Sequence, residues 1–589
     1  MCGIIGYKGF RDAVPVVKEG IKKLEYRGYD SVGIAVKNKD TITVKKGVGK
    51  VTEVFDKLDV DKLQGDMAIS HSRWATHGGV TRENAHPHMS SNGNIAVVHN
   101  GIIENHQELR SFLKSKGYKF VSDTDTEVIP NLIQYGLDSG KDYIDAVKDA
   151  LKKLKGSYAV IILNKQTNLL VGARKESPLV VGVGEKEWFI ASDIPSFLEY
   201  TKKVIYLSDG DLVLLNDGLK IFNLEKDVEV KRKISTVDWD SSQAKKGDFE
   251  HYMLKEISEQ AEVINKSISQ DLSKIKYVAD EIKKAKGVYF VACGSSYNAC
   301  LSASYKFAKL AKVHVNVALA SEFKNYKDFL TPDSLIIAVS QSGETADVLS
   351  AVKAAREKNS KVISIVNVMG SSLMRESDES LLQNAGPEIC VLATKSYTSQ
   401  LVVLTLLSYA LSNQLDEGIA KLKELINNIY YLTSENTREY IRELSERLRY
   451  TEHIYLIGRD LQYPTALEAA LKIKEVSYIH AEGFAGGELK HGSIALIEQG
   501  TPCIVFTSDE TESETLSNAA ELKSRGAYII GIGPKNNEVF DFFIKVRESQ
   551  EANSICHIIP IQILAYQLAI LRGKDPDKPR NLAKSVTVR

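Results

Sequence analysis

At 589 residues, 43% of them hydrophobic and 26% charged, the chain is too long for a single core and should divide into about two to four domains. Its 76 Lys and Arg balance 76 Asp and Glu, so no global field favours nucleic acid, although local anion sites stay open. Only Cys2 lies ahead of Cys293 among the six cysteines, which excludes a disulfide framework and points to a reducing, cytoplasmic compartment. The longest strongly apolar run in this reading, Leu401 to Leu411, is too short to span a bilayer. Ile4-Ile5-Gly6 lacks the charged and apolar regions of a signal peptide.

If Met1 is removed, Cys2 carries a thiol and a free α-amine on one residue. The thiolate is the nucleophile and needs a base. An α-amine, whose ordinary pKa is about 7.7–8.0, can accept that proton near neutrality. Taken alone, Cys2 serves equally well as a small residue opening a strand. Short β-rich runs follow to about residue 240, among them 31–36, 67–70, 95–99, 158–163, 188–192 and 212–215. Helical periodicity appears at 12–24, 105–116, 125–139 and 143–154. This pattern predicts an α/β fold with sheets packed face to face between helical layers.

Four stretches carry polar residues that a strand-rich core does not need: 24–31 (with Arg27-Gly28-Tyr29-Asp30-Ser31), 71–78 (His71-Ser72-Arg73-Trp74-Ala75-Thr76-His77-Gly78), 97–105 (with His99-Asn100-Gly101) and 122–127 (Ser122-Asp123-Thr124-Asp125-Thr126-Glu127). Each has a plain structural reading: Asn100-Gly101 a turn, 124–127 a helix start, His71 and His77 surface residues, Arg73-Trp74 a stacked pair. Together with a nucleophilic cysteine they fit one task, hydrolysis of a glutamine side-chain amide. Arg73 can clamp the substrate carboxylate through its bidentate fork, and Asp125 can take the α-ammonium. The Asn100 amide and the Gly101 backbone N–H suit the oxyanion of the tetrahedral intermediate.

Cys-Gly-Ile, Arg-Gly-Tyr-Asp-Ser, Arg-Trp-Ala-Thr-His-Gly, His-Asn-Gly and Thr-Asp-Thr-Glu occur in this order, and residues 1–240 resemble the class II, N-terminal-nucleophile glutamine amidotransferases. That resemblance implies an αββα fold, a thioester at Cys2, and release of ammonia and glutamate. It also implies a glutamine pocket of Arg73, Trp74, Thr76, His77 and Asp125, with Trp74 as a gate.

Around 241–250 periodicity is lost, as in a linker, and helical spacing resumes at His251. The remainder reads as one unit written twice, 251–430 and 431–575, before a tail at 576–589. Val288–Gly294 is matched by Ile454–Asp460, and Leu335–Ser340 by Pro502–Thr507, each followed by helical spacing. Alternating short apolar strands and helices predict two parallel-sheet α/β units. Copy one places Cys293-Gly294-Ser295-Ser296 and Ser340-Gln341-Ser342-Gly343-Glu344-Thr345 where strands open into helices, a setting that suits a phosphate dianion. Copy two has Thr507-Ser508-Asp509-Glu510 instead, whose carboxylates would repel phosphate. Lys472 and Glu475 share a helix face, where a surface ion pair is the plain alternative. Gly487–Gly492 sets His491 between glycines, and the mostly apolar tail around Lys584 should pack rather than dangle.

The duplicated units resemble sugar isomerase (SIS) domains. With the front half, Glu-Leu-Lys-His-Gly and Asn-Leu-Ala-Lys-Ser-Val-Thr-Val, the full chain resembles the glucosamine-6-phosphate synthase family, the isomerising glutamine–fructose-6-phosphate aminotransferases. The resemblance implies amide nitrogen transfer from L-glutamine to D-fructose 6-phosphate, then isomerisation to D-glucosamine 6-phosphate, the first step of hexosamine biosynthesis. It implies a sugar-phosphate site of Ser295, Ser296, Ser340, Gln341, Ser342, Thr345, Val391 and Ala583. Lys584 would form a Schiff base at C2, Glu475 would shift a proton between C1 and C2, and Lys472 would steady the enolic oxygen. His491 would assist ring opening from a neighbouring subunit, which implies a homodimer or larger assembly. Ammonia must travel unprotonated, hence through a closed and largely apolar passage. No metal, pyridoxal phosphate or nucleotide is called for. Three residues depart from the family's commonest pattern: Ser295 for threonine, Ser493 for proline, and Arg589 for glutamate. The pyrophosphate loop of phosphoribosylpyrophosphate amidotransferases, the ATP loop of asparagine synthetases and the helix-turn-helix of SIS regulators are not evident.

Overall fold

The structure is a computed structural model that describes residues 2–75, 77–237 and 246–587. Met1, Thr76, the connector as far as Lys245, and Val588 and Arg589 lie outside the described residues. The chain divides into two compact units, one of Met1–Ala244 with Ala583–Arg589 and the other of Lys245–Leu582.

The first unit contains two antiparallel sheets. One has eight strands, in the order Ile234–Thr236, Lys203–Tyr206, Val180–Val183, Trp188–Ala191, Gly3–Lys8, Met67–Arg73, Ser31–Asn38 and Thr41–Val48. The other has seven: Val228–Glu229, Leu219–Asn223, Asp211–Leu215, Leu170–Lys175, Gly156–Asn164, Ile95–Ile103 and His88–Met89. Residues alternate across a strand, so Ile4, Ile69 and Ile190 of the first sheet meet Val98, Ile161 and Val213 of the second in one dry layer. The opposite face of the second sheet is covered by the helices His106–Ser115, Val128–Asp138 and Tyr143–Lys153. The helix Ala13–Lys23 packs on Gly3–Lys8 and Met67–Arg73, completing an αββα sandwich. Asp12 starts that helix by accepting the Val14 N–H, and Lys22 and Lys23 end it where the helix dipole favours cations.

The second unit contains two five-stranded parallel sheets with the same strand order. The first runs Asn316–Leu319, Gly287–Ala292, Ser334–Ser340, Lys361–Val366 and Glu379–Leu382. The second runs His480–Ala485, His453–Gly458, Pro502–Phe506, Tyr528–Gly533 and Phe542–Lys545. The strands are near-continuous apolar runs because helices cover both faces. One core joins the copies, from Phe290 and Ile337 through Tyr397 and Leu404 to Ile454 and Ile530.

The segment 550–571 departs from the sequence reading, which took Leu401–Leu411 as the longest strongly apolar run. It is long and apolar enough to cross a membrane by length and composition, yet 83% of it is buried inside the unit. His557, Gln562 and Gln567 break the run in sequence, and each finds a partner inside the core: Thr507 O, Gln260 and Ser445 respectively.

Candidate active sites

In the first unit the site forms where the two sheets converge. Cys2 precedes the strand Gly3–Lys8, which pairs with Met67–Arg73 so that Gly3 lies opposite Ser72. This register brings the end of the second strand to the cysteine: the Trp74 N–H reaches Cys2 Sγ at 3.2 Å, and Sγ lies 3.5 Å from Trp74 O. From the facing sheet, Asn100 Nδ2 donates to Cys2 O at 2.8 Å. Gly101 beside it has φ +132°, and a Cβ there would lie 2.1 Å from Ser157 O, so only glycine fits. Burial pushes the Cys2 thiol up, against the Trp74 N–H and the Arg73 charge, so a base is needed to ionise it.

Arg73 is buried, and its guanidinium is held by the carbonyls of His77, Gly78 (3.2 Å) and Gly79 (3.1 Å). Burial lowers its pKa, opposed by the charges of Cys2, Asp30 and Asp125, which places all four in one electrostatic neighbourhood. Asp125 is buried and accepts the Ile103 N–H at 2.7 Å. Its neighbour Glu127 accepts the N–H groups of Val121 and Ser122, both at 2.8 Å, so this stretch fastens a loop as well as opening a helix at Val128. Trp74 and His77 are half-buried on the same segment, while Thr76 falls outside the described residues.

Two contacts here go beyond the sequence reading, which placed Asp30 in a polar stretch without giving it a role. Asp30 accepts the Ala75 N–H at 2.8 Å, fixing the chain just beyond Trp74. His71, read singly as a surface residue, is fully buried with His86, His88 and His99. His71 stacks on His86 at 4.0 Å, and Thr126 Oγ1 sits between His86 Nε2 (2.9 Å) and His99 Nδ1 (2.8 Å). A hydroxyl has one proton to give, so at least one of these ring nitrogens donates to it. Burial lowers the pKa of all four imidazoles and favours their neutral forms. The His-x-His spacing of 86–88, leading into the short edge strand His88–Met89, was the available signal.

In the second unit, Ser340 ends a strand and the turn to Thr345 leads into the helix Ala346–Glu357. Ser340 Oγ lies 3.1 Å from Thr345 Oγ1 and accepts the Gly343 N–H at 3.0 Å, while Ser342 Oγ accepts the Glu344 N–H at 3.2 Å. Gly343, at φ +65°, has no room for a Cβ, which would meet Ser371 Oγ at 2.1 Å. Gln341 lies within this turn, and its carbonyl accepts the Asn367 N–H at 3.1 Å. Hydroxyls and backbone N–H groups at the carboxyl end of a parallel strand form a cradle suited to phosphate. Ser296, in the first turn of the helix Gly294–Lys306, is held by Gln400 Nε2 at 3.0 Å.

The Lys472 and Glu475 pair is not a surface bridge. Lys472 is fully buried on the helix Gln462–Ser477, with Nζ 2.8 Å from Glu475 Oε2 and 3.2 Å from Glu468 Oε1. It also donates to Ser295 Oγ at 3.0 Å and Ala393 O at 3.3 Å. Burial opposes its charge, but the two carboxylates outweigh that and raise its pKa. Ala393 belongs to a loop that also carries Val391, whose N–H donates to Asp577 O at 3.1 Å. Asp577 in turn accepts the N–H groups of Tyr252 (2.9 Å) and Met253 (2.7 Å), and Glu256 accepts those of Ile389 (2.6 Å) and Cys390 (3.1 Å). These bonds tie the chain before the tail to the loop that touches Lys472.

His491 is exposed on the short turn Glu488–His491, with no hydrogen bond to the Lys472 cluster among the described residues. Ala583 and Lys584 fall in the segment that belongs with the first unit. Ser585 and Thr587, which follow them, are buried, whereas the apolar Val586 between them is exposed.

The glutamine amidotransferase domain family matches residues 71–199, and the SIS domain family matches 281–410 and 447–572. The isomerising glutamine–fructose-6-phosphate aminotransferase of Pyrococcus horikoshii is 45% identical over 602 residues, covering 100% of both chains. Its namesake in Clostridium tetani is 43% identical over 610 residues, again covering 100% of both. Among solved structures, the C-terminal domain of glucosamine-fructose-6-phosphate aminotransferase from Francisella tularensis is 38% identical, with a TM-score of 0.52. It covers 56% of this chain and 99% of its own. The chain belongs to the isomerising glutamine–fructose-6-phosphate aminotransferase family.

Proposed function

We propose the following division of labour for the family's reaction, transfer of the amide nitrogen of L-glutamine to D-fructose 6-phosphate to give D-glucosamine 6-phosphate and L-glutamate. Cys2, freed of Met1, is the nucleophile. Its α-amine takes the thiol proton, and the thiolate attacks the amide carbon. Asn100 Nδ2 and the Gly101 N–H hold the oxyanion, and collapse of the intermediate expels ammonia and leaves a thioester for water to cleave. Arg73 clamps the glutamine α-carboxylate and Asp125 its ammonium, while Trp74, Thr76 and His77 line the pocket and Trp74 gates it.

In the second half of the chain, the turn from Ser340 to Thr345, with Ser295, Ser296, Val391 and Ala583, holds the sugar phosphate. Lys584 forms a Schiff base at C2, His491 from a neighbouring subunit assists ring opening, Glu475 moves the proton between C1 and C2, and Lys472 stabilises the enolic oxygen. This assignment requires a homo-oligomer, and its reactants suit the cytoplasm. The domains fall at 1–240, 251–430 and 431–575, with 241–250 as linker and 576–589 as a tail closing the sugar site.

The Asn100 amide on Cys2 O, the Trp74 N–H on the half-buried thiol, and Arg73 within electrostatic reach of both Cys2 and Asp125 support this reading most strongly. The test is Cys2→Ala, assayed with glutamine plus fructose 6-phosphate. Glutamate release should disappear, while amino-sugar formation from added ammonium persists. Full glutamine-dependent activity in this variant would contradict the assignment.

A further inference from the structure

Lys472 and Glu475 do not act as an isolated pair. Glu468 lies one turn before Lys472 on the same helix, and the spacing i, i+4, i+7 sets Glu468, Lys472 and Glu475 along one face. Glu468 and Lys472 are fully buried, whereas the Glu475 side chain keeps 22% exposure. Carboxylates are rarely buried so completely without a task or a close partner. Glu468 has partners on two elements: Lys472 Nζ at 3.2 Å from Oε1, and Asn298 Nδ2, which donates to Oε2 at 2.8 Å from the helix Gly294–Lys306. The Ser295 hydroxyl, which accepts from Lys472, is within hydrogen-bond reach of Glu468 as well.

We propose that Glu468 is a positioning residue of the sugar site: seated between Asn298 and Lys472, it holds the ammonium beside Glu475 and draws on the same positive charge. The proposal rests on the reading that Glu475 moves the C1/C2 proton. Without a second carboxylate, Lys472 would serve Glu475 alone and hold its negative charge too firmly for a base. With it, the ammonium is divided between two anions, one buried and fixed, the other open to the pocket. Burial favours the neutral form of Glu468, opposed by Lys472 and Asn298, so the charge of the group is set by this geometry.

Neighbouring elements bring further groups towards Glu468. Tyr397, fully buried on the helix Lys395–Leu411, is electrostatically coupled to it. The helix Asn553–Leu571 packs along the same helix, but His557 is turned to the carbonyls of Asn553 and Thr507, and Tyr566 to His251. His480 and Glu482, on the adjacent strand, are exposed.

The test compares full-length Glu468→Gln, Glu468→Asp and Glu475→Gln by pH profiles of kcat for amino-sugar formation and by KM for fructose 6-phosphate. In Glu468→Gln nothing offsets the pull of Lys472 on Glu475, so the acid limb should move down by about 1 pH unit or more. The plateau should fall roughly tenfold or more, while KM stays within about twofold because Glu468 is fully buried and spends its oxygens on Lys472 and Asn298. Glu468→Asp, which keeps the charge, should restore the limb and part of the rate. An unmoved limb in Glu468→Gln, or a limb displaced equally in Glu468→Asp, would overturn the proposal. Should Glu468→Gln fail to fold, Glu468→Asp decides: a limb away from the wild-type position rejects the role. Glu475→Gln separates the two levels, because activity retained there would reject the reading of Glu475 itself, whereas loss there with a wild-type profile in Glu468→Gln rejects only the inference.

Discussion

The two halves of the duplicated unit share a strand order, and in each the helix that follows the first strand buries one lysine completely: Lys306 in copy one and Lys472 in copy two. Their surroundings differ. Lys306 Nζ meets hydroxyls, Thr405 Oγ1 at 2.8 Å and Ser554 Oγ at 3.3 Å, and burial lowers its pKa to about 7. Lys472 meets two carboxylates, which raise its pKa despite equal burial. Duplication thus preserved the scaffold while the residues one turn away decided which ammonium stays charged in a dry core. The same contrast appears at the strand ends, where copy one offers serines and copy two offers carboxylates paired with lysines, Asp509 with Lys535 at 2.8 Å and Glu510 with Lys309.

The largest effect should come from Lys472→Met, which strands Glu468 and Glu475 without their cation. Amino-sugar formation should fall by roughly 100-fold or more, and the sugar-isomerase half should lose about 3–5 kcal/mol of stability. Glutamate release at Cys2 should persist, as a glutaminase assay would record. Next, Ser342→Ala should raise KM for fructose 6-phosphate by about tenfold with little change in kcat, the loss of one hydrogen bond to a charged group. In the matching turn of copy two, where Asp509 stands opposite Ser342, removing the neighbouring hydroxyl with Ser508→Ala should leave KM within about twofold; equal effects would erase the functional difference between the copies.

The smallest effect concerns Lys306. Its folded pKa is depressed, so between about pH 7 and the unfolded value near 10.4 the unfolded chain holds the extra proton, and stability rises with pH by about 1.4 kcal/mol per unit. Lys306→Met should remove that slope in melts of the sugar-isomerase half. Lys472, with a raised folded pKa, has the opposite sign: its contribution is full below the unfolded value and is lost only as pH climbs through the folded one.

Much of this was legible in sequence because it is periodic or local. The strands around Ile69, Ile161 and Ile190, the repeated strand–helix units, and the turn from Ser340 to Thr345 all announce themselves within a few residues. What escaped depends on distant partners. Glu468 stands on the same helix face as Lys472 and Glu475, yet its burial is set by Asn298, 170 residues earlier. The four imidazoles meet because two strands, an edge strand and a loop converge, with His86 and His99 both on Thr126. The helix Asn553–Leu571 was disguised by polar residues whose partners lie on other elements.

The proposed function has nitrogen leaving glutamine at Cys2 and reaching the ketose without equilibrating with solvent. Amide-15N glutamine, fructose 6-phosphate and a large excess of unlabelled ammonium test this directly, with mass analysis of the amino sugar. Full 15N enrichment of the glucosamine 6-phosphate is the predicted result; enrichment diluted to that of the bulk ammonium would contradict it.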